Sequence, residues 1–154
     1  MAISKINFNS RELVTTPAFC AEPTSDQENF TVASSVEIVF GTERFDNNGD
    51  FASNTFTAPV TGRYLLNTAI RFHAIDSAAS YIYIYITTSN ATYQNIHSSN
   101  RYSADLSYHS LPLSVVADMD ASDTAKVHVY VSSDSATQVD IDNGGSHFSG
   151  CLLA

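Results

Sequence analysis

Apolar and polar residues alternate with a period of two along much of this chain, and the longest alternating run follows Phe56-Thr57-Ala58-Pro59-Val60-Thr61-Gly62. Pro59 has a fixed φ and no amide hydrogen, so it cannot sit inside a strand ladder. Gly62 lets the backbone reverse where a side chain would clash. A turn therefore precedes a long strand, in which Tyr64, Leu66, Thr68, Ile70 and Phe72 share one face and Leu65, Asn67, Ala69, Arg71 and His73 share the other. The first face belongs to a core. The second is only half polar, so it too is expected to be covered.

The same pattern predicts further strands. Thr16 to Thr24 is a short one bracketed by Pro17 and Pro23, which suits an edge or flanking position. Val36 to Phe40 is another, and a short strand flanked by Phe51 and Phe56 runs into the central stretch. Tyr81-Ile82-Tyr83-Ile84-Tyr85-Ile86 sends isoleucines and tyrosines to opposite faces. Leu111 to Val116 has Pro112 near its start, Val127 to Val131 alternates cleanly, and His147 to Leu153 closes the chain. Turns are expected at Asp46 to Asp50, at Met119 to Thr124 and at Asp140 to Ser146 with its Gly-Gly pair, and mixed polar loops around one strand at Asn95 to Ser110. Nine or ten strands with no helix indicate an all-β sandwich or jelly roll.

Composition sharpens this picture. The 154 residues suffice for one domain with a full core, and the 44% hydrophobic fraction excludes a disordered chain. Serine (21) and threonine (14) are abundant, whereas Lys5 and Lys126 are the only lysines, which suits hydroxyl-rich strands and turns over long helices. A net charge of −9 repels phosphate backbones and argues against nucleic acid as a partner. No apolar run reaches the length of a membrane-spanning helix, and Met1 to Ser10 lacks the basic-then-apolar pattern of a signal peptide, so synthesis in a cytosol is expected. Cys20 and Cys151 read as two free thiols packed as small hydrophobes, with one bridge between the chain ends as the alternative.

Candidate chemistry is sparse. Asp46-Asn47-Asn48-Gly49-Asp50 places oxygen ligands at alternate positions, but its glycine is one place early for a calcium loop and Thr57 stands where that loop needs glutamate, so a hairpin turn is the simpler reading. Asp118, Asp120, Asp123, Asp140 and Asp142 read as solvated loop charge, with calcium as the alternative. No histidine pair has metal spacing and no nucleophile elbow occurs; no cofactor, metal or catalytic residue is expected. The stripe of Tyr81, Tyr83 and Tyr85 is the sharpest binding candidate, because an exposed tyrosine is a rigid apolar plate with a polar tip. Cross-strand tyrosines that merely stabilise a sheet are the alternative.

Phe56 to Tyr64 resembles the F-x-A-P-x-x-G-x-Y motif of the globular head of complement component 1q, and Ser146-His147-Phe148-Ser149-Gly150-Cys151-Leu152-Leu153 is similar to that family's closing S-x-F-S-G-x-L-L. Ser110 to Tyr130 resembles its apolar strand, acidic turn and second apolar strand, with Ser122-Asp123 in place of the usual Gly-Asp. The resemblance implies a ten-stranded jelly-roll β-sandwich, shared with the tumour necrosis factor superfamily, that assembles as a homotrimer. It places His128 and Tyr130 beside the three tyrosines, with Lys126 on the same face. It makes Leu65, Ala69, Arg71 and His73, with Cys151 and Leu153 opposite, the trimer interface, where Arg71 can form an ion pair across subunits.

Neither a collagen stalk nor a signal peptide accompanies the head, a form that looks like structural proteins of bacterial viruses. The expectation is a head domain at residues 16–154 behind an N-terminal arm at residues 1–15, carried on a virion and made in the host cytoplasm. It would be a non-enzymatic fibre or spike head, or a capsid decoration. Its partners would be its own copies, another virion protein bound through the arm and, for a receptor tip, a host-surface glycan. A free trimeric lectin-like or signalling ligand is the alternative. Neither nucleic acid nor membrane is an expected partner.

Overall fold

The computed structural model describes residues 16–132 and 139–153. The arm expected at residues 1–15, with its weak alternation of Ile3, Ile6 and Phe8, lies outside them. The described residues form eleven strands: β1 (Ala18–Glu22), β2 (Ser35–Glu37), β3 (Thr42–Asp46), β4 (Phe51–Ala52), β5 (Thr55–Thr57), β6 (Gly62–Ile75), β7 (Ile82–Thr88), β8 (Thr92–His97), β9 (Leu106–Met119), β10 (Thr124–Val131) and β11 (Asp140–Leu152). Among the described residues the helical content is one 3-10 turn, Ser99–Arg101. The strands form two antiparallel sheets, one in the order β3-β1-β11-β6-β9 and the other in the order β4-β5-β10-β7-β8, with β2 pairing β10 where β5 ends. Neighbours far apart in sequence, such as β1 with β11 and β6 with β9, make this a jelly-roll β-sandwich.

The core fills the space between the sheets. Tyr64, Leu66, Thr68, Ile70 and Phe72 are all fully buried, as the alternation predicts, and so are Ile82, Ile84 and Ile86 from the other sheet. Phe19 on β1 stacks on Phe51 and Phe56 at centroid distances of 5.1 and 4.6 Å and meets Phe148 edge-on at 4.9 Å. One aromatic cluster thereby joins the first strand, the last strand and the β4–β5 hairpin. That hairpin turns through Ser53 and Asn54, both with positive φ (50° and 62°), the geometry that a two-residue hairpin demands.

The central turn has a physical explanation residue by residue. Phe56 and Ala58 are buried, and the fully buried Tyr64 ring sends its hydroxyl back to donate to the Val60 carbonyl at 2.7 Å. The Ala58 amide donates to the Asp123 carbonyl and the Ser122 amide to the Ala58 carbonyl, so this turn is fastened to the one between β9 and β10. The spacing of Phe56, Ala58, Pro59, Gly62 and Tyr64 is thus that of a turn locked by its own tyrosine.

Four expectations need correction. The strand of Thr16 to Thr24, expected at an edge or flanking position, is paired on both sides, by β3 and β11, and Pro17 and Pro23 stand just outside its ladder. Val36 to Phe40 pairs only over Ser35–Glu37; Ile38 and Phe40 are buried beyond the ladder, where Asn54 accepts the Phe40 amide through its side-chain oxygen at 2.9 Å. Pro112 stands in the middle of β9, not near its start, and is tolerated because β9 is an edge strand with one unpaired side. The Gly-Gly segment lies inside β11 as an irregularity between Asp142 and His147 rather than in a turn between strands. A Cβ at Gly145 would stand 3.0 Å from the Arg71 side chain, so the glycines make room for that residue. The polar β3 went unpredicted because Thr42-Glu43-Arg44-Phe45-Asp46 has no apolar alternation; as a sheet edge it needs none.

Replacing Phe19 by alanine should cost about 3–5 kcal/mol of unfolding free energy, measured by urea denaturation. Tyr64→Phe, which removes only the hydroxyl that holds the turn, should cost about 0.5–1.5 kcal/mol in the same measurement.

Candidate functional site

Two outward faces carry the candidate residues, one on each sheet. On the β7–β10 face the register sets Tyr83 beside Tyr130 and Tyr85 beside His128, and Tyr81 packs against both Tyr83 and Tyr130. The five side chains singled out from sequence and resemblance therefore do come together. Tyr83 and Tyr130 lie 5.1 Å apart with ring planes 15° from parallel, and Tyr85 and His128 lie 5.1 Å apart at 13°. Rings this close and this parallel overlap in offset stacks rather than lying side by side. Much of each ring face is consequently occupied by its neighbour, and ring edges and phenolic hydroxyls form the outer boundary. A sugar stacked flat on an open ring would compete with these contacts, whereas a partner that hydrogen-bonds to hydroxyls meets them directly.

The ridge is tied to its surroundings. The Ser35 and Tyr85 hydroxyls are hydrogen-bonded to each other. Lys126 donates to Glu37 at 2.8 Å, and His128 lies 3.9 Å from the same carboxylate. Burial pushes the Glu37 carboxyl up, but hydrogen bonds from Lys126 and Asn54 outweigh it and hold the group below its ordinary range. The His128 imidazole is held below its usual value, first by burial and further by Lys126, with Glu37 partly opposing. Burial likewise raises the Tyr83 phenol, and the neighbouring phenols add to the effect. Ile96, 56% exposed, sits next to Tyr83 on β8 and extends the row with an apolar edge. Sequence reasoning missed Ile96 because β8 inverts the usual order, with Asn95 and His97 inward and isoleucine outward.

The outward face of the five-stranded sheet gathers the other set. Leu65 pairs with Cys151 and Val116, Ala69 with His147 and Pro112, Arg71 with Asp142 and Ser110, and His73 with Asp140 and Tyr108. Leu153 follows just beyond β11, where its amide donates to the Arg63 carbonyl. The face has two chemical halves. One is apolar, with Phe45, Val116 and Leu153 each half exposed around the small side chains of Ala18, Cys20, Ser149 and Cys151. The other is polar. Arg71, expected to reach across subunits, finds its carboxylate within the chain by pairing with Asp142, and it also lies 5.6 Å from the Tyr108 ring centre. Phe45, Val116 and Tyr108 were not anticipated; for Val116 the signal was the alternation of Leu111, Leu113 and Val115 against Ser110, Ser114 and Val116.

Both cysteines are free and half-buried on this face. Cys20 stands opposite Ser149 and Cys151 opposite Ala18, so the thiols are diagonal rather than facing. Burial raises the Cys20 thiol above its ordinary range, with Glu22 adding to the rise.

The acidic turns have internal uses. The turn at Asp46 to Asp50, expected as a hairpin, instead carries the chain from β3 in one sheet to β4 in the other, and Asp46 closes it by accepting the Gly49, Asp50 and Phe51 amides. Asp123 holds the Asn90 side chain and the Asp120 amide, Asp120 meets the Thr61 hydroxyl, and buried Asp140 accepts the Asn29 amide at 2.6 Å. Among the described residues no group of three or more histidine, cysteine or acidic side chains is arranged to hold a metal.

Tyr83 touches Tyr81, Tyr85 and Tyr130, so Tyr83→Ala should destabilise the fold by about 1–3 kcal/mol. Tyr83→Phe keeps the stack and should stay within about 0.5 kcal/mol of the parent in urea denaturation, which makes it the clean probe of the hydroxyl.

No protein-family model matches the chain, and no curated protein matches it in sequence. Solved structures do match in shape. The globular domain of zebrafish complement 1qA aligns with a TM-score of 0.62 and 13% identity, over 90% of this chain and 98% of that one. Murine APRIL aligns with a TM-score of 0.63 and 14% identity, over 90% of this chain and 99% of that one. At such identities the likeness is one of fold: the chain is built on the jelly roll seen in the complement 1q head and in APRIL.

Proposed function

We propose that this protein is a non-enzymatic binding and structural module that assembles as a homotrimer through the outward face of its five-stranded sheet. The observation that carries this reading is the exposed apolar half of that face. Phe45, Leu65, Val116 and Leu153 are exposed around a row of small side chains, and Phe45 and Leu65 line a depression of about 390 Å³ with Ala18, Cys151 and the polar Asn67, Ser114 and Ser149. Exposed apolar side chains gathered on one face favour burial in a contact, and small side chains let another backbone approach closely. A depression on one part of the surface filled by a projection from another makes a heterologous contact, which closes into a ring when the rotation allows. The Arg71–Asp142 pair is satisfied within the chain, so it can be covered without leaving an isolated charge.

The setting we propose is the surface of a bacteriophage particle, as a fibre or spike head or as a capsid decoration. In the trimer the tyrosine ridge stays on the outer sheet, and its hydroxyl tips suit a hydroxyl-rich glycan or another virion protein. Residues 1–15 would join the head to the particle.

Light scattering on a sizing column tests the interface. Leu65→Glu should turn trimer into monomer with its β-sheet circular dichroism intact; a variant that stays trimeric shows that another face makes the contact. Competition tests the setting. If the protein is a receptor tip, the isolated trimer should block phage adsorption to host cells and Tyr83→Phe should weaken the block. No block, with the protein present on purified particles, favours the decoration role. Absence from particles overturns the virion setting and leaves the free ligand.

A further inference from the structure

We propose that the edge of the sandwich between β8 and β9 is an acid-sensitive seam, held shut while the imidazoles of His97 and His109 are neutral and parted when they take up protons. β8 is the edge of one sheet and β9 the edge of the other. His97 stands opposite buried Ile82, and His109 opposite buried Phe72, so both imidazoles point inward from edge strands and meet across the gap. Their ring centres are 4.0 Å apart with planes inclined by 32°, and Tyr102 lies against His97 at 5.7 Å.

The site is built for uncharged rings. His97 Nε2 is buried and has no hydrogen-bond partner among the described residues, so a proton added there meets no acceptor among them. The charged neighbour of His97 is Arg101 in the 3-10 turn, which repels a second positive charge. His109 faces His97 itself. Phe72 and Tyr102 are neutral, and Asp105 in the following loop is occupied by the amide and hydroxyl of Ser77. No carboxylate among the described residues offsets a charge on either ring. Among the described residues two side-chain bonds oppose separation: Asn95 donates to the Pro112 carbonyl at 2.7 Å, and Asn90, in the turn before β8, donates to the Asp118 carbonyl at 3.4 Å.

Burial holds both imidazoles below the ordinary value of 6.5, with Arg101 adding to this for His97 and His97 for His109. A histidine with a lowered value in the closed state binds its proton more readily once the seam opens. The closed state therefore keeps its full advantage above pH 6.5 and loses it as the pH falls below that value. Each unit of separation between closed and open values shifts the equilibrium about tenfold toward opening.

Amide hydrogen exchange on the full chain at pH 7.5 and 5.0, corrected for intrinsic rates, tests this. The wild type should lose protection about tenfold or more in residues 92–97 and 106–113, while the β6–β11 pairing keeps its own. His97→Phe/His109→Phe, which keeps two stacked rings and removes both protons, should retain seam protection at pH 5.0. Equal protection of the wild-type seam at both pH values overturns the proposal. So does a loss spread evenly over all strands, or a double variant that opens as the wild type does. Should the variant fail to fold, an NMR titration of the wild-type imidazoles decides: both must titrate below 6.5, and either one at or above that value refutes the seam.

Discussion

Phe19 and Gly150 cannot both carry side chains in this fold, and most of its architecture depends on that exclusion. A Cβ at Gly150 would lie 2.8 Å from the Phe19 ring and 2.9 Å from Leu66. With glycine there, Phe19 sinks between the sheets and meets Phe51, Phe56 and Phe148, so the first described strand is clamped to the last. β11 can then pair with β1 on one side and with β6 on the other, which places β6 inside its sheet rather than at its edge.

The same packing decides what the outside of that sheet looks like. Strand alternation sends Phe148 inward and Ser149 and Cys151 outward, and it does the same for Phe19 against Ala18 and Cys20. The large rings are spent on the core, so small side chains remain on the outer face, rimmed by Phe45, Leu65 and Val116. The result is a shallow depression of small side chains with apolar residues at its rim, on which the proposed contact between copies rests. The opposite sheet resolves the alternation differently. Its isoleucines fill the core and its tyrosines stack on one another outside, with ring edges and hydroxyls outermost.

The central strand, its turn and the tyrosine stripe were legible in the sequence because each combines strict alternation with a residue that can do only one job. Pro59 and Gly62 make the turn, and isoleucine alternating with tyrosine makes β7. β3 was illegible because an edge strand with polar side chains gives no periodic signal. β11 was misread at Gly144 and Gly145, where the glycines accommodate Arg71 rather than a reversal of the chain. That contact joins residues far apart in sequence, as does the meeting of His97 with His109. Each histidine alone looks like an ordinary polar residue on a polar strand; only the closure of the two sheets brings them face to face.

The central claim is that the outward face of the five-stranded sheet is a contact between copies of this chain. Sedimentation velocity of the wild-type protein at micromolar concentration tests it most directly. The account predicts one species with the mass of three 16.7-kDa chains. A single species with the mass of one chain would contradict it.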